Sequence, residues 1–304
     1  MNLNESSQAG SEPWARRSAL SVPGSSQRML EKALQLPADE IVIDLEDAVA
    51  ADAKDDARDL VADFLTPDRP TPGLVAVRIN ALASAWGERD VVELARRCGS
   101  RIDSLVVPKV ESTQDILHVQ RLLESAGQHA MHVRLQALIE TAAGLVRAAE
   151  IAAATPRLEG LILGYADLAA SLGRAPGPIA PERWLYAQET VLVAARASGL
   201  QATDGPYLDI RDDAGLRMRA EHVRTLGFDG KWAVHPDQLA VINAVFTPAE
   251  EEVARAQAVI DALEGAEGRG AVALDGEMLD EASRKLAARI VARGRAATVE
   301  GAPR

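Results

Sequence analysis

Two acidic residues, Glu140 and Asp167, each follow a short apolar run that is typical of a strand buried on both faces. A helix-length segment joins the two runs, and parallel strands joined by a crossover helix end on the same side of a sheet. Both carboxylates should therefore project into one mouth. Two carboxylates with room for water suit Mg²⁺, which keeps open positions for a substrate. The sequence predicts a magnesium site here, and the alternative is that each acid only caps the helix that follows it.

A second group of acids, Asp44, Glu46 and Asp47, ends another apolar run. Clustered carboxylates repel one another and are retained where a cation or a polar ligand offsets their charge. Arg78 interrupts a later apolar run, where an unpaired guanidinium would be costly to bury. It should pair with an acid of the mouth or with an anionic substrate group. Lys109 ends the following run and is expected to form a structural ion pair.

The elements that must position these residues alternate between strand and helix. Apolar runs predict eight strands, at residues 18–22, 40–47, 74–80, 104–109, 135–139, 160–164, 200–207 and 231–236. Eight strands that alternate with helices predict an α/β fold of the (β/α)8 TIM barrel type. An open doubly wound sheet is the alternative, but no Gly-x-Gly-x-x-Gly follows the first strand to support it. The helix after the second strand carries charged residues that are expected to point mostly outward: Lys54, Asp55, Asp56, Arg58 and Asp63.

The chain is expected to contain a catalytic barrel at residues 14–246 and two flanking segments. Residues 1–13 are polar, lack the basic-then-apolar order of a signal peptide, and are expected to be a disordered tail. Residues 247–304 should form a helical lid or an oligomer contact. Their expected parts are a helix that begins at the capping-box pattern of Thr247 and Glu250, a mobile glycine-rich stretch at 265–270, and a last helix from 281 to about 293.

The composition excludes several classes of partner. A net charge of −12 argues against nucleic acid and anionic membranes, because both require clustered positive charge. No apolar run approaches the roughly 18 residues of a membrane span. The single cysteine, Cys98, cannot form an internal disulfide, so a reducing, cytoplasmic location is expected.

Nine short motifs follow one another in the order of a known family. They are residues 22–25, 31–33, 43–47, 77–80, 108–111, 139–144, 164–168, 227–232 and 234–236. Together they resemble the citrate lyase β-subunit-like (CitE-like) and malyl-CoA lyase family of the HpcH/HpaI aldolase superfamily, over about residues 16–293. The resemblance implies a Mg²⁺-dependent barrel enzyme, with Mn²⁺ as an alternative ion, that makes or breaks a carbon–carbon bond next to a CoA thioester.

The resemblance assigns roles residue by residue. Glu140 and Asp167 match the metal ligands, and Arg78 matches the arginine that contacts the thioester oxygen. Asp280 matches a catalytic aspartate on a C-terminal lid that family members lend to a neighbouring subunit. The acids expected around the metal-bound waters, the first two of them also catalytic, are Asp44, Glu46 and Asp47. The positions expected to contact the CoA ester or the 2-oxoacid are Arg17, Lys32, Gly164, Tyr165, Ala166 and Pro236.

Two departures from the family pattern bear on the substrate. Gln188, in place of arginine, is closer to the malyl-CoA lyases and favours glyoxylate-type substrates, and Tyr165, in place of alanine, would narrow the 2-oxoacid pocket. The implied reaction is retro-Claisen cleavage or condensation of a 3-hydroxyacyl-CoA such as malyl-CoA, β-methylmalyl-CoA or citramalyl-CoA, in a trimer or hexamer that exchanges lids. Two alternatives use the same site: an (S)-malyl-CoA thioesterase, and a citrate lyase β-subunit that acts on an acyl-carrier-protein thioester.

Overall fold

Eight parallel strands close into a barrel, which confirms the predicted TIM barrel. The computed structural model describes residues 16–66, 71, 73–175, 181–265 and 271–298, so the predicted tail at 1–13 lies outside the described residues. The strands are β1 Ser18–Pro23, β2 Glu40–Asp44, β3 Leu74–Arg78, β4 Ser104–Val107, β5 Arg134–Ile139, β6 Leu158–Leu163, β7 Gln201–Asp204 and β8 Gly230–Ala233. Each strand pairs with the next in chain order, and β8 closes the ring by pairing with β1.

Helices connect successive strands and pack against the outside of the barrel. They are α1 Gln27–Ala33, α2 Lys54–Phe64, α3 Gly87–Cys98, α4 Thr113–Ser125, α5 Ala142–Val146, α6 Ala148–Ala152, α7 Tyr165–Ser171, α8 Pro181–Ala197, α9 Asp213–Leu226 and α10 Gln238–Phe246. Two short helices, α5 and α6, replace the single helix expected between β5 and β6. Within the described ranges, no helix is both long enough and apolar enough to cross a membrane.

The barrel interior contains an apolar layer to which seven strands contribute one side chain each. Its members are Ala19, Val42, Ala76, Val106, Leu138, Ile162 and Trp232. Neighbouring strand residues face outward and join the helices in a larger core, because successive side chains of a strand point to opposite faces. The strands are therefore apolar on both sides, as continuous apolar runs predict.

A buried polar cluster closes the N-terminal end of the barrel, beyond the apolar layer. Arg16 Nε donates to Glu40 Oε1 at 3.0 Å, and Arg16 Nη2 donates to Glu159 Oε1 at 2.5 Å. Arg16 Nη1 donates to Gln201 Oε1 at 2.6 Å, and Gln136 Nε2 donates to Glu40 Oε1 at 2.8 Å. Arg16 and Glu40 are only 6% and 1% exposed. Each buried charge thus has the partners that such a position requires.

The charged face predicted for α2 is wrong at Arg58, which is buried. Its guanidinium donates to Asp55 at 2.5 Å, to Asp90 at 3.0 Å and to Glu93 at 2.8 Å. Asp90 is a buried residue of α3. The helical period identified the side of α2 that faces the barrel, but it could not show that α3 packs alongside and covers Arg58.

The chain divides into two compact units, Arg16–Phe246 and a C-terminal unit that begins at Thr247. The C-terminal unit contains α11 Glu250–Glu264, β9 Val272–Leu274, β10 Glu277–Leu279 and α12 Glu281–Thr298, around a small core of Ala256, Val259, Leu279, Ala287 and Val291. The helix start predicted at Thr247 is wrong: α11 begins at Glu250, and Glu252 accepts a hydrogen bond from the backbone N–H of Ala249. The predicted mobile stretch lies outside the described residues except for Gly265.

Arg16→Ala should lower the free energy of unfolding by about 3–5 kcal/mol, because it leaves the buried carboxylates of Glu40 and Glu159 without their cation. Denaturation in guanidinium chloride measures the loss. Arg134→Ala is the control, since Arg134 is half-exposed and lies 3.9 Å from Glu159, and it should cost less than about 1 kcal/mol. Equal losses in the two variants would contradict the importance of the buried cluster.

Candidate active site

A cavity of about 390 Å³ opens at the C-terminal ends of the barrel strands. This is the end at which TIM barrels present the side chains that bind and react with substrates. The charged residues of its lining are Asp44, Asp47, Arg78, Glu140 and Asp167. Residues from four strand ends, far apart in the sequence, therefore meet at one mouth.

Glu140 directly follows β5, and its carboxylate lies in a narrow seat. The residue is 3% exposed, and Oε1 accepts the backbone N–H of Lys109 at 2.9 Å. Lys109 has φ 52°, a left-handed conformation that is uncommon outside glycine. On the other side, a Cβ at Gly164 would lie 2.6 Å from Glu140 Oε2, so glycine is required there for close approach. The seat fixes the orientation of the Glu140 carboxylate.

Asp167 lies in the first turn of α7, and its side chain is 38% exposed. The ammonium group of Lys109 lies between it and a second acid, 2.6 Å from Glu46 Oε1 and 3.9 Å from Asp167 Oδ1. The structural ion pair predicted for Lys109 is therefore confirmed. One lysine positions Glu140 through its backbone and two further carboxylates through its side chain.

The mouth concentrates negative charge in a poorly solvated place. Burial, together with the charges of Glu46 and Asp167, raises the pKa of Glu140 to about 8, against the lowering effects of the Lys109 N–H and Arg78. Burial also raises the pKa of Glu46. Glu46 Oε2 is buried and has no hydrogen-bond partner among the described residues, although Arg78 Nη1 lies 3.2 Å away. A divalent cation at this point would offset the repulsion.

The donors at the mouth fit Mg²⁺. Among the described residues, no group of three or more His, Cys, Asp or Glu side chains could hold a metal by itself. Mg²⁺ is commonly bound by one or two carboxylates and completed by water and substrate oxygens. Glu140 and Asp167 supply that number, and the adjoining cavity leaves space for the other oxygens.

Arg78 ends β3 and pairs with acids at the end of β2 and just after it, as predicted. Its Nε and Nη2 donate to the two oxygens of Asp44 at 2.8 and 2.5 Å, and Nη1 donates to Asp47 at 3.4 Å. Its Cζ lies 5.8 Å from the centre of the Trp232 ring. Nη1 also lies 3.2 Å from Glu46 Oε2, so three acids surround the guanidinium, which has five N–H donors in all. Asp44 thus orients Arg78.

Lys54 supports the acidic loop after β2, a role that the predicted outward-facing charges of α2 did not suggest. Its Nζ donates to the backbone carbonyls of Leu45 and Glu46 at 3.1 and 2.9 Å, and to Asn80 Oδ1 at 2.5 Å. Asn80 in turn donates to the buried Asp90. The only signal in the sequence was that Lys54 begins a helix directly after the acids.

The residues 164–166, expected to offer backbone N–H groups to a substrate carboxylate, differ from one another. The N–H of Gly164 donates to the carbonyl of Ile139 at 3.0 Å and is therefore occupied. Tyr165 and Ala166 begin α7, where N–H groups have no acceptor within the helix. Both residues line the cavity, so two of the three expected donors lie at the mouth.

The other expected contact residues are spread around the barrel. Arg17 precedes β1, at the N-terminal end opposite the cavity, and its guanidinium pairs with Asp39 at 2.7 Å. Arg17 is therefore not part of the cavity lining, and its contact with the CoA phosphates stays a prediction. Lys32 is exposed in the last turn of α1, and Pro236 follows β8. The sequence already indicated that Arg17 lies away from the mouth, because it precedes the first strand whereas the mouth forms where strands end.

Asp280 belongs to the C-terminal unit, where it precedes α12. Its Oδ1 accepts the backbone N–H groups of Ala282 at 2.9 Å and Ser283 at 3.1 Å. These hydrogen bonds, first of all that from the Ser283 N–H, lower the pKa of Asp280 below its ordinary value. Asp280 is therefore an exposed carboxylate that caps a helix within its own unit.

A family model described as HpcH/HpaI aldolase/citrate lyase matches residues 17–236, which include the whole barrel mouth. The chain belongs to this family. It is 38% identical over 290 residues to an L-malyl-CoA/β-methylmalyl-CoA lyase of Cereibacter sphaeroides, covering 88% of this chain and 91% of that protein. It is 41% identical over 292 residues to a (3S)-malyl-CoA thioesterase of the same species, covering 94% and 97%.

A solved structure of this family shows the same architecture. The CitE protein of Mycobacterium tuberculosis, in complex with magnesium, acetoacetate and coenzyme A, superimposes with a TM-score of 0.75 at 33% sequence identity. The match covers 91% of this chain and 97% of the CitE chain. The resemblance drawn from the nine sequence motifs is thereby confirmed.

The raised pKa of Glu140 should make this family member less stable as the pH rises. Between the ordinary value of 4.5 and the folded value of about 8, the unfolded chain loses a proton that the folded protein retains. Glu140→Gln should therefore remove part of the pH dependence and gain on the order of 2–4 kcal/mol at pH 8. Urea unfolding in EDTA at pH 5.5 and pH 8 measures this.

The control for this experiment is Glu150→Gln, which changes an exposed carboxylate of α6. It should leave the wild-type pH dependence unchanged. If Glu140→Gln retained the same pH dependence as the wild type, the buried carboxylate would not be the source of the effect.

Proposed function

We propose that this protein is a Mg²⁺-dependent acyl-CoA lyase that cleaves or forms the carbon–carbon bond of a 3-hydroxyacyl-CoA such as malyl-CoA. The observation that carries the proposal is the meeting of Glu140, Asp167 and Arg78 at one cavity. The 38% identity to a malyl-CoA lyase and the likeness to a CitE protein in complex with magnesium and coenzyme A support it.

Glu140 and Asp167 would hold the ion, and bound Mg²⁺ would supply Lewis-acid polarisation of the substrate oxygens. Lys109 keeps Glu140 in the orientation that this requires. The first-turn N–H groups of Tyr165 and Ala166 would receive the carboxylate of the 2-oxoacid half. These contacts fix the half of the substrate that becomes glyoxylate.

Arg78 would stabilise the charge that develops on the thioester. In cleavage, the 3-hydroxyl group would give its proton to a carboxylate of the mouth, the bond between C2 and C3 would break, and the electron pair of that bond would move onto the thioester as an enolate. The guanidinium of Arg78 would donate to the enolate oxygen, and its two hydrogen bonds to the carboxylate of Asp44 hold it in place before the reaction begins.

Asp280 would then move the proton at C2. In cleavage it gives a proton to the enolate carbon, which yields acetyl-CoA, and in condensation it takes a proton from the acetyl methyl group. Its lowered pKa suits the condensing direction, because the residue is then a carboxylate that can accept the proton. We assign this role to the aspartate of a neighbouring subunit, in a homo-oligomer that exchanges lids as a trimer or hexamer.

Hydrolysis of (S)-malyl-CoA at the same site is the second candidate, and the 41% identity to a malyl-CoA thioesterase favours it. In that reaction water attacks the thioester carbonyl, and Arg78 would bind the oxyanion. A third candidate, a citrate lyase β-subunit that acts on an acyl-carrier-protein thioester, would use free CoA esters poorly. The single buried cysteine suits the cytoplasmic location that we propose.

Incubation with (S)-malyl-CoA and Mg²⁺ separates these reactions. We expect glyoxylate and acetyl-CoA in equal amounts. We expect no turnover in EDTA or in Glu140→Ala, because no metal ion would then bind the substrate oxygens. Glyoxylate, acetyl-CoA, free CoA and malate are quantified separately. Free CoA with malate would make the protein a thioesterase, and turnover that persists in EDTA would contradict the metal.

Asp280→Asn should lower kcat by about 100-fold or more while CoA-ester binding remains, because only the proton transfer is lost. Glu277→Gln, an exposed acid on β10, should have wild-type activity. Co-expression of Asp280→Asn with Arg78→Met tests lid exchange. Each variant alone should be inactive, and mixed oligomers should recover activity where an intact Asp280 meets an intact Arg78. Absence of recovery would indicate that one chain supplies both residues.

A further inference from the structure

Tyr165 forms part of the cavity wall, and a buried network behind it holds its hydroxyl group. The residue is 5% exposed and lines the cavity beside Gly164 and Ala166. Its hydroxyl donates to Asp204 Oδ1 and accepts a hydrogen bond from Gln188 Nε2 at 2.7 Å. The ring therefore faces the cavity while its polar end points away into the protein.

The network extends to a lysine in the middle of β8. Lys231 is 2% exposed and pairs with Asp204, which is 1% exposed. Lys231 Nζ also donates to the carbonyl of Gly205 at 2.7 Å. Gln188 Oε1 lies 3.3 Å from His222 Nε2. A buried pair with these additional partners holds a fixed geometry, because losing one partner would strand the other charge.

Apolar packing fixes the ring as firmly as the network fixes the hydroxyl group. The ring of Trp184 meets that of Tyr165 edge-on, with centroids 5.0 Å apart. A Cβ at Gly205 would lie 2.7 Å from Tyr165 Cδ2, so the backbone directly after β7 approaches the ring closely. These contacts on the side away from the cavity oppose a shift of the ring that would admit a larger ligand.

The position of Tyr165 relative to the metal-binding acids indicates which part of a ligand it meets. Gly164 lies against the Glu140 carboxylate, and Asp167 follows two residues later on α7. Tyr165 lies between these two positions in the chain. Tyr165 also lines the same cavity as both acids, so its ring borders the space that the 2-oxoacid would fill if Glu140 and Asp167 held it through a metal ion.

We propose that Tyr165 determines specificity: its fixed ring restricts the substituent on the carbonyl carbon to hydrogen, so the site accepts an aldehydic 2-oxoacid such as glyoxylate and discriminates against ketonic ones such as pyruvate. The inference rests on the proposed lyase function. A role as a general base is not supported for Tyr165, because burial and then the charge of Asp204 raise its pKa well above the ordinary value and keep the hydroxyl protonated.

The test is condensation of acetyl-CoA with glyoxylate or pyruvate, with kcat/KM measured for each. Wild-type enzyme should prefer glyoxylate. Tyr165→Ala should raise the pyruvate-to-glyoxylate ratio by about tenfold or more, since one methyl group in a close-fitting pocket changes discrimination by about 10–200-fold. Tyr165→Phe keeps the ring and should keep the preference for glyoxylate. Tyr186→Ala, on the exposed face of α8, should leave the ratio unchanged.

A second variant, Tyr165→Leu, covers the case in which Tyr165→Ala does not fold, and it should raise the ratio to a smaller extent. An unchanged ratio in a folded, active Tyr165→Ala or Tyr165→Leu would overturn the inference while leaving the lyase function intact. So would a shift between acetyl-CoA and propionyl-CoA with no shift between the two oxoacids, because the ring would then face the acyl group. A wild-type enzyme that condensed neither oxoacid would overturn the proposed function and this inference together.

Discussion

The balance of buried charge at the C-terminal mouth is the constraint on which the site depends. Asp44, Glu46 and Glu140 are each no more than 5% exposed, and the cations that approach them are Arg78 and Lys109. Arg78 neutralises Asp44 through two hydrogen bonds, whereas from the described residues Glu140 receives one hydrogen bond, from the backbone N–H of Lys109. The acids are thus unequally compensated, and the uncompensated part lies where a divalent cation would bind.

Polar interactions at both ends of the barrel enclose the apolar layer between them. At the N-terminal end, Arg16 satisfies Glu40 and Glu159 within the protein. At the mouth, Glu46 retains a buried oxygen without a hydrogen bond to the described residues. The same kind of side chain therefore stabilises the fold at one end and remains available to a ligand at the other, which is the usual division of roles in a TIM barrel.

Much of this arrangement could be predicted because it follows from strand ends. Glu140 and Arg78 interrupt or end apolar runs, and the closure of parallel strands brings such positions together. Lys231 begins the predicted eighth strand, and its partner Asp204, which lies on another strand, cannot be identified from spacing. Arg58 could not be predicted to be buried, because the helix that covers it is far away in the sequence. Contacts across elements, not local patterns, determine these positions.

The tryptophans give the molecule an optical property. In the described part of the chain they are Trp86, Trp184 and Trp232, and each contacts a residue at or near the mouth. Lys54 Nζ lies 5.6 Å from the centre of the Trp86 ring, Trp184 packs against Tyr165, and Trp232 lies beside Arg78. Indole emission responds to nearby charge and polarity, so filling the cavity should alter the intrinsic fluorescence of the protein. Ligand binding at the mouth could therefore be followed by intrinsic tryptophan fluorescence, in stopped-flow experiments with unlabelled protein and with ligands that do not react.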